Sequence, residues 1–282
     1  MAEMRDKKVC VTGGSGFIGT HLMRSIPWAH QFWYPDHDLR DMRDAFEFIN
    51  LWKPDIVFHL AAQSVVTNTE PLDSLTTNID GTYNILEACR IVGVDSFVHI
   101  STDKVYGNNE YAKTTDPLKG TDHPYNASKL CGDIIAQLYQ SYYEVPVKII
   151  RTGNIYGPGD PHFDRIIPGT IKAILESRPV ELRSDGQSIR DFIYIEDLIP
   201  AYLTISESLP GIYNLGGSPI SVIELVTVIH KLMGSDLKPI INNDQHNEIP
   251  SQHVIDCPDW WNPKTSLEDG LRKTIEWYSS RA

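Results

Sequence analysis

The stretch VCVTGGSGFIGTHL, residues 9 to 22, sets Gly13, Gly16 and Gly19 three residues apart between an apolar strand-like run and an apolar-periodic helix-like run. Glycine lets the chain turn sharply from strand to helix, lets backbone N–H groups approach a diphosphate, and lets helix and strand pack closely. The helix N-terminus favours negative charge at the same place. The pattern predicts a dinucleotide-binding turn. A tight turn with no ligand is the alternative, and the matching strand and helix on either side weigh against it.

Such a loop needs a parallel sheet behind it. Strand-like KKVCVTGG, DIVFHLAA and SFVHIST alternate with helix-length FIGTHLMRSI and TTNIDGTYNILEACRIVG, which predicts β-α-β units and a doubly wound parallel sheet. A further helix is expected from Pro124 to Tyr143, and VPVKIIRTGNIYG reads as another buried strand ending in a glycine-rich loop. Beyond Asp160 the elements shorten and prolines recur at Pro161, Pro168, Pro179, Pro210, Pro219 and Pro239. The expected division is a dinucleotide-binding domain over 1–160 and a smaller lobe over 161–282, interleaved with the first and returning segments to it.

Charge and cysteine usage narrow the partners. A net charge of −12 over 282 residues, with no Lys/Arg run, argues against nucleic acid, so any anionic ligand must be met locally. Cys10, Cys89, Cys131 and Cys257 show no CxxC spacing, which predicts reduced thiols, no structural metal and a cytoplasmic setting. Met1 to Lys8 is short and charged, and no apolar run approaches the roughly 18 residues of a membrane span. No membrane association is expected.

Candidate site residues come in three groups. An acid about 20 residues past the glycine loop commonly holds the adenosine ribose. HQFWYPDHDLRD offers Asp36 and Asp38 but no clear strand-end acid, and neither Arg40 nor Arg43 is clearly placed for a 2′-phosphate. NAD is therefore preferred and NADP left open. Asp38 can equally cap the helix MRDAFEFINLW. Leu60, Ala61 and Ala62 fall at the carboxyl end of a buried strand, where small side chains leave room for a cofactor or simply pack. In PYNASK, Tyr125 and Lys129 stand four apart on one helix face, so that an ammonium can favour a phenolate able to take a proton from a hydroxyl. An exposed amphipathic helix is the alternative. The clusters Trp260-Trp261 and Trp277-Tyr278 are expected to pack the smaller lobe.

TGGSGFIG, with Phe17 and Ile18 inside it, and YNASK in that order and separation resemble the extended short-chain dehydrogenase/reductases, the NAD-dependent epimerase/dehydratase family. The resemblance implies an α/β Rossmann-type fold with a C-terminal substrate lobe, NAD as cofactor, and a homodimer formed through the helices at Thr76–Val92 and Pro124–Tyr143. It implies that Gly13, Gly16, Phe17, Ile18 and Gly19, the pair Asp38-Leu39, Leu60, Ala61 and Ala62 of HLAAQ, Asn78 and Ser101 contact the cofactor. Tyr125 and Lys129 are then the catalytic pair, which the cofactor also touches. Thr102 is a catalytic and substrate-binding hydroxyl, while Asn154 in RTGNIYGPGD and Arg190 in SIRDFIYIEDL contact the substrate diphosphate. An ion pair with Asp191 or Glu196 is the other reading of Arg190, and Arg165 is a weaker diphosphate candidate.

One segment selects among reactions. STDKVYG follows its hydroxyls with Asp103 and Lys104, resembling the nucleotide-sugar 4,6-dehydratases that carry an acid and a base here. DPLKGTDHPYNASK, RTGNIYGPGD, DRIIPGTIKAI, RPVELR and EIPSQHV resemble in order segments of CDP-glucose 4,6-dehydratases. This implies that Tyr125 deprotonates the 4-hydroxyl of a nucleotide hexose, that Lys104, neutral in a dry site, removes the carbon 5 proton, and that Asp103 protonates the departing 6-hydroxyl. A 4-epimerase or 4-keto reductase, for which Asp103-Lys104 is an incidental turn, is the runner-up. A redox-inactive nucleotide-binding module is the third reading. The nucleotide base and the sugar stay open.

Overall fold

The computed structural model describes residues 3–64, 71–242 and 249–281; Met1, and Glu248 of EIPSQHV, lie outside them. In chain order the elements are β1 (Val9–Thr12), α1 (Phe17–Ser25), β2 (His30–Phe32), α2 (Met42–Trp52), β3 (Ile56–His59), α3 (Pro71–Leu75), a π-helical turn (Thr76–Asp80), α4 (Gly81–Val92) and β4 (Ser96–Ile100). A 3-10 turn (Asp103–Tyr106), β5 (Tyr111–Ala112), α5 (Pro124–Ser141), β6 (Val147–Thr152), β7 (Asn154–Tyr156), α6 (Ile166–Leu175), β8 (Glu181–Leu182) and β9 (Ile189–Tyr194) follow. The chain continues through α7 (Ile195–Ser206), β10 (Gly211–Leu215), β11 (Ser218–Ser221), α8 (Val222–Met233), β12 (Ile240–Ile241), β13 (Ser251–Val254) and α9 (Leu267–Ser279).

Two units share this chain. The first comprises Met1–Gly107, Thr114–Arg151 and Ile199–Asn214. Its six-stranded sheet runs β10-β6-β4-β3-β1-β2, with the pairs from β6 through to β2 parallel. Thr12 is in register with both Phe32 and His59, and His59 with His99, so the strands end in one row. The order reverses at β1, whose neighbours are β2 and β3, and ligands of such sheets bind outside the strand ends at that reversal.

β1, β3 and β4 are buried along their whole length, as strands covered on both faces must be. Cys10, Val57, Phe97 and Ile149 of the sheet pack in one core with Phe48 and Ile49 of α2, Ile85, Leu86 and Cys89 of α4, and Ala136 and Tyr139 of α5. Burial pushes the Cys10 thiol up to about 12 and raises that of Cys89 as well; Cys131 and Cys257 are half-buried, and all four are free. The cap of α2 is Asp41, whose carboxylate accepts from the Arg43 N–H, and not Asp38. Asp41 is the residue immediately before the first helical one, the position from which a short acid reaches the open N–H groups.

The second unit comprises Asn108–Lys113, Thr152–Leu198 and Leu215–Ala282. Its main sheet is mixed: β9 lies between β11, antiparallel, and β13, parallel, with β5 beyond β13 and β7 also pairing with β9. VPVKIIRTGNIYG is not one strand. It breaks at Gly153, where a Cβ would come within 2.8 Å of the Asp191 Cβ, and the two halves join different sheets as β6 and β7. A capping box between Ser221 and Glu224 starts α8, and Val226 of that helix packs with Ala173, Val180 and Leu182. Of the C-terminal aromatics expected to pack, Tyr278 is buried, but Trp260 is 45% exposed. Among the described residues no helix is long and apolar enough to cross a membrane, and no cluster of His, Cys, Asp or Glu could hold a metal ion.

Candidate active site

The glycine loop has no room for side chains. Gly13 takes a φ of +71° and a Cβ on it would lie 2.6 Å from the Ala61 nitrogen; one on Gly19 would lie 2.1 Å from the Gly13 oxygen. Gly16 occupies the N-cap of α1 and is exposed, and the first N–H groups of that helix have no acceptor within it. Phe17 is buried in the helix base and Ile18 half-buried. The chain leaving β3 closes the other side: Leu60 N–H donates to the Thr12 carbonyl at 3.1 Å, and Ala61 N–H to Thr12 Oγ1 at 3.3 Å. This backbone cradle fits the diphosphate of NAD, which asks for N–H donors and close approach.

Around the cradle, Leu39 is buried and its carbonyl accepts from Asn84 Nδ2 at 2.8 Å, while the Asp38 carboxylate grips Arg40 at 2.6 Å and its own backbone N–H donates to Asp44. β2 ends at Phe32 and is followed by Trp33, so no carboxylate stands at that strand end. Asn78 sits in the π-helical turn, buried, with Oδ1 accepting from Gln63 N–H at 2.7 Å and Nδ2 donating to the Gln63 carbonyl and to Ser128 Oγ at 2.8 Å. It ties the exit of β3 to α5. Extra-turn bulges of this kind commonly re-aim a side chain at a functional site.

The candidate catalytic groups gather where β4 ends and α5 begins. Pro124 and the His123 ring, which accepts from Tyr125 N–H at 3.1 Å, start α5. Tyr125 is half-buried in the first turn, where a helix N-terminus favours negative charge. Lys129, one turn further, is buried, and its Nζ donates to the carbonyl of Ile100, the last residue of β4, at 2.6 Å. Burial pulls its ammonium down to about 8, and the Asp133 carboxylate opposes that fall. Two residues past Ile100, Thr102 caps the 3-10 turn and its hydroxyl donates to Asp103 Oδ1 at 3.0 Å. Lys104 Nζ lies 3.5 Å from the same oxygen, with Asp103 buried and Lys104 partly exposed. The Asp-Lys pair is thus not a fully exposed turn. Ser101 directs its hydroxyl to Asp133, at 2.6 Å.

Several participants escape sequence reading. His59 is buried between Thr12 Oγ1 and Thr82 Oγ1, at 2.8 and 3.0 Å, and burial drives its basicity down to about 3, so it stays neutral. His99 stacks on it with ring centres 5.6 Å apart, and neither of its ring nitrogens has a hydrogen-bond partner among the described residues. Asp133 and Arg151 form an ion pair at 2.7 Å. The available signals were an acid four residues after Lys129 and a cation inside the apolar run VKIIRT.

In the second unit, Asn154 on β7 is in register with Phe192 on β9, and its amide donates to the Asp191 carbonyl at 3.2 Å. Arg190, half-buried on β9, donates to the Ile189 carbonyl at 2.8 Å. The Asp191 carboxylate engages His253 at 2.8 Å and the Val254 N–H, and Glu196 faces Lys273 at 3.5 Å. Arg165 is held by Asp160 at 3.0 Å.

Known proteins resemble this chain in sequence and in fold. The chain is 30% identical to the dTDP-glucose 4,6-dehydratase of Haemophilus influenzae, over 96% of the chain and 97% of that protein. It is 27% identical to a trifunctional UDP-glucose 4,6-dehydratase/UDP-4-keto-6-deoxy-D-glucose 3,5-epimerase/UDP-4-keto-L-rhamnose-reductase of Arabidopsis thaliana, covering 99% of the chain but only 48% of that protein. Among solved structures, the UDP-glucose 4-epimerase of Thermotoga maritima with UDP-glucose superposes at a TM-score of 0.89 with 25% identity, covering 97% of this chain and 99% of that one. The dTDP-glucose 4,6-dehydratase DesIV of Streptomyces venezuelae, with NAD bound, does so at 0.86 with 25% identity and 97% of each chain. The model of the NAD dependent epimerase/dehydratase family matches residues 9–216, and with the glycine cradle, the Tyr125–Lys129 helix and the six-stranded sheet in place, the chain belongs to that family.

Proposed function

We propose that this enzyme is a nucleotide-sugar 4,6-dehydratase that works on tightly held NAD and yields the 4-keto-6-deoxy sugar. The observation that carries the reading is the contact of Thr102, Asp103 and Lys104 with one another at the end of β4, beside the α5 helix that bears Lys129. The glycine cradle, Leu60 to Ala62, Asn78 and Lys129 would hold the cofactor. NAD supplies the reversible acceptance of hydride from carbon 4 and its return to carbon 6. Tyr125 takes the proton of the 4-hydroxyl, and the Lys129 ammonium stabilises the phenolate that does so. The ketone at carbon 4 acidifies carbon 5, from which Lys104 takes a proton, while Asp103 gives one to the leaving 6-hydroxyl and water departs. Lys104 then reprotonates carbon 5, and the proton removed from the 4-hydroxyl balances the one lost by Asp103. Asn154 and Arg190 are the diphosphate ligands in this reading, a guanidinium fork suiting two phosphate oxygens.

A 4-epimerase is the second reading, favoured by the superposition on the Thermotoga maritima epimerase. Both reactions begin with oxidation at carbon 4, so Tyr125 and Lys129 do not separate them. Incubation with CDP-, UDP-, dTDP- and GDP-hexoses is expected to give a 4-keto-6-deoxy product without net NADH from at least one. No keto product from any of them removes the dehydratase. Asp103→Asn and Lys104→Met separate the two further: a dehydratase stalls, and an epimerase keeps turning over.

A homodimer through α4 and α5 belongs to the same proposal. What supports it is that those helices and the residue after α5 expose Tyr83, Ile91, Ile134, Leu138 and Tyr142, large apolar side chains that a partner helix pair would cover. Light scattering is expected to give twice the chain mass at micromolar concentration, and a monomer there ends the dimer proposal.

A further inference from the structure

The first unit buries a charged network that the chemistry proposed above does not use. Asp133, wholly buried one turn beyond Lys129, accepts from Ser101 Oγ at 2.6 Å, from Arg151 Nε and Nη2 at 2.9 and 2.7 Å, and from Gln137 Nε2 at 2.8 Å. The third nitrogen of Arg151 donates to the Tyr106 hydroxyl at 2.8 Å, with the guanidinium carbon 4.9 Å from the centre of that ring. The Tyr106 hydroxyl in turn donates to Asn214 Oδ1 at 2.8 Å. Ser101, Tyr106, Arg151 and Asn214 are all buried.

Taking an Asp and an Arg out of water costs about as much as their attraction returns, so such a pair is a poor way to gain stability. Fully satisfied, it is a strong way to fix geometry, because every bond in it is directional and none competes with solvent. What it fixes here is specific. Ser101 and Tyr106 are the two ends of the segment that carries Thr102, Asp103 and Lys104, and both ends hang on the same ion pair. Asp133 itself belongs to the helix of Tyr125 and Lys129. The middle of the segment is held as well: Lys119 and Gly120 N–H groups donate to the Val105 carbonyl at 2.9 and 3.0 Å, and a Cβ on Gly120 would come within 2.2 Å of the Lys104 oxygen.

We infer that Asp133, Arg151 and Tyr106 are positioning residues that lock the Thr102–Lys104 segment in one register against the helix of Tyr125 and Lys129, so that oxidation at carbon 4 and elimination across carbons 5 and 6 share one substrate pose. The catalytic half of this inference rests on the dehydratase reading; the lock itself does not.

Tyr106→Phe in the full-length protein is the test, because it removes one hydroxyl, keeps the ring, and leaves Arg151 on Asp133. Amide exchange over residues 102–107 is expected to speed up about tenfold as that local opening becomes easier, with α5 unchanged. In the turnover assay kcat is expected to fall about tenfold to a hundredfold, as small misplacements of reacting groups do, while KM stays within about twofold. Ser101→Ala, at the other end of the segment, is expected to show the same pattern at 102–104 and decides the matter if Tyr106→Phe does not fold. Unchanged exchange in a folded variant overturns the lock, and faster exchange with wild-type kcat overturns its role in catalysis. A wild-type chain that turns over no nucleotide hexose overturns the dehydratase reading instead, and the exchange measurement still decides the lock.

Discussion

Arg151 of the first unit and Arg190 of the second carry the same guanidinium into opposite situations. Arg151 is 1% exposed and has all its nitrogens engaged by Asp133 and Tyr106. Arg190 is half-buried on a strand, with a backbone carbonyl as its near acceptor, while the adjacent Asp191 carboxylate turns to His253. The first unit closes its cation among its own acceptors; in the reading proposed above, the second presents one to the substrate diphosphate. In that reading the two respond to substitution in different currencies, one in folding and one in affinity.

The sharpest contrast comes from the reacting group itself. Tyr125→Phe is expected to lower turnover about a thousandfold, within the range for loss of a positioned acid–base group, and to leave NAD affinity by calorimetry within about threefold. Arg151→Met should act the other way. Removing one partner of a buried pair leaves Asp133 uncompensated and is expected to destabilise by about 3–5 kcal/mol in urea unfolding. A loss under about 1 kcal/mol would mean that Asp133 is already served by Ser101 and Gln137, and the contrast between the arginines would fail.

Lys129 sets a pH signature between these extremes. Its ammonium, pulled down to about 8, faces Asp133 on its own helix and the neutral His59 and His99 on β3 and β4. Activity that needs the ammonium is expected to fall as pH rises through about 8. Stability moves the other way: between about 8 and the ordinary lysine value of 10.5 the unfolded chain binds the proton that the folded one has lost, so stability rises with pH across that window. Lys148, also buried and held near 8, contributes a similar rise, so the part due to Lys129 is the difference between wild type and Lys129→Met unfolded in denaturant from pH 7 to 10. Equal slopes in both would remove Lys129 from the account. The smallest effect belongs to the second unit. Arg190→Ala is expected to raise the KM for a nucleotide hexose about tenfold, the worth of one charge-assisted contact, with stability within about 0.5 kcal/mol.

Local spacing made much of the first unit legible. Three glycines at fixed intervals mark the tight passage from β1 to α1, and a spacing of four positions from Tyr125 to Lys129 on a helix puts them on one face. What could not be read were consequences of long-range packing. Asp38 and Asp41 both precede α2, and only the path of the backbone decides that Asp41 caps it. VPVKIIRTGNIYG carries no interior turn signal besides Gly153, and its division between two sheets shows only where Asp191, far away in the chain, lies against that glycine. Likewise Asp133, Arg151 and Tyr106 lie on three different elements with no shared motif, and the side-chain network appears only when strands from distant parts of the chain lie side by side. Trp260, assigned to packing by its aromatic character, is largely exposed, and nothing in its local sequence says which side of the loop is inward.

The free thiols described with the fold make the protein its own instrument. Cys10 and Cys89 sit on β1 and α4, sealed in the first unit's core, whereas Cys131 on α5 and Cys257, whose sulfur accepts from the Gly216 N–H at 3.2 Å in the second unit, are only half-buried. A thiol-reactive reagent added to the unmodified chain therefore meets Cys131 and Cys257 first and reaches Cys10 and Cys89 only when the sheet parts from α4. Labelling rates read by mass at each cysteine would time the loosening of the first unit's core against the fast sites, without a fluorophore, a substrate or a single substitution.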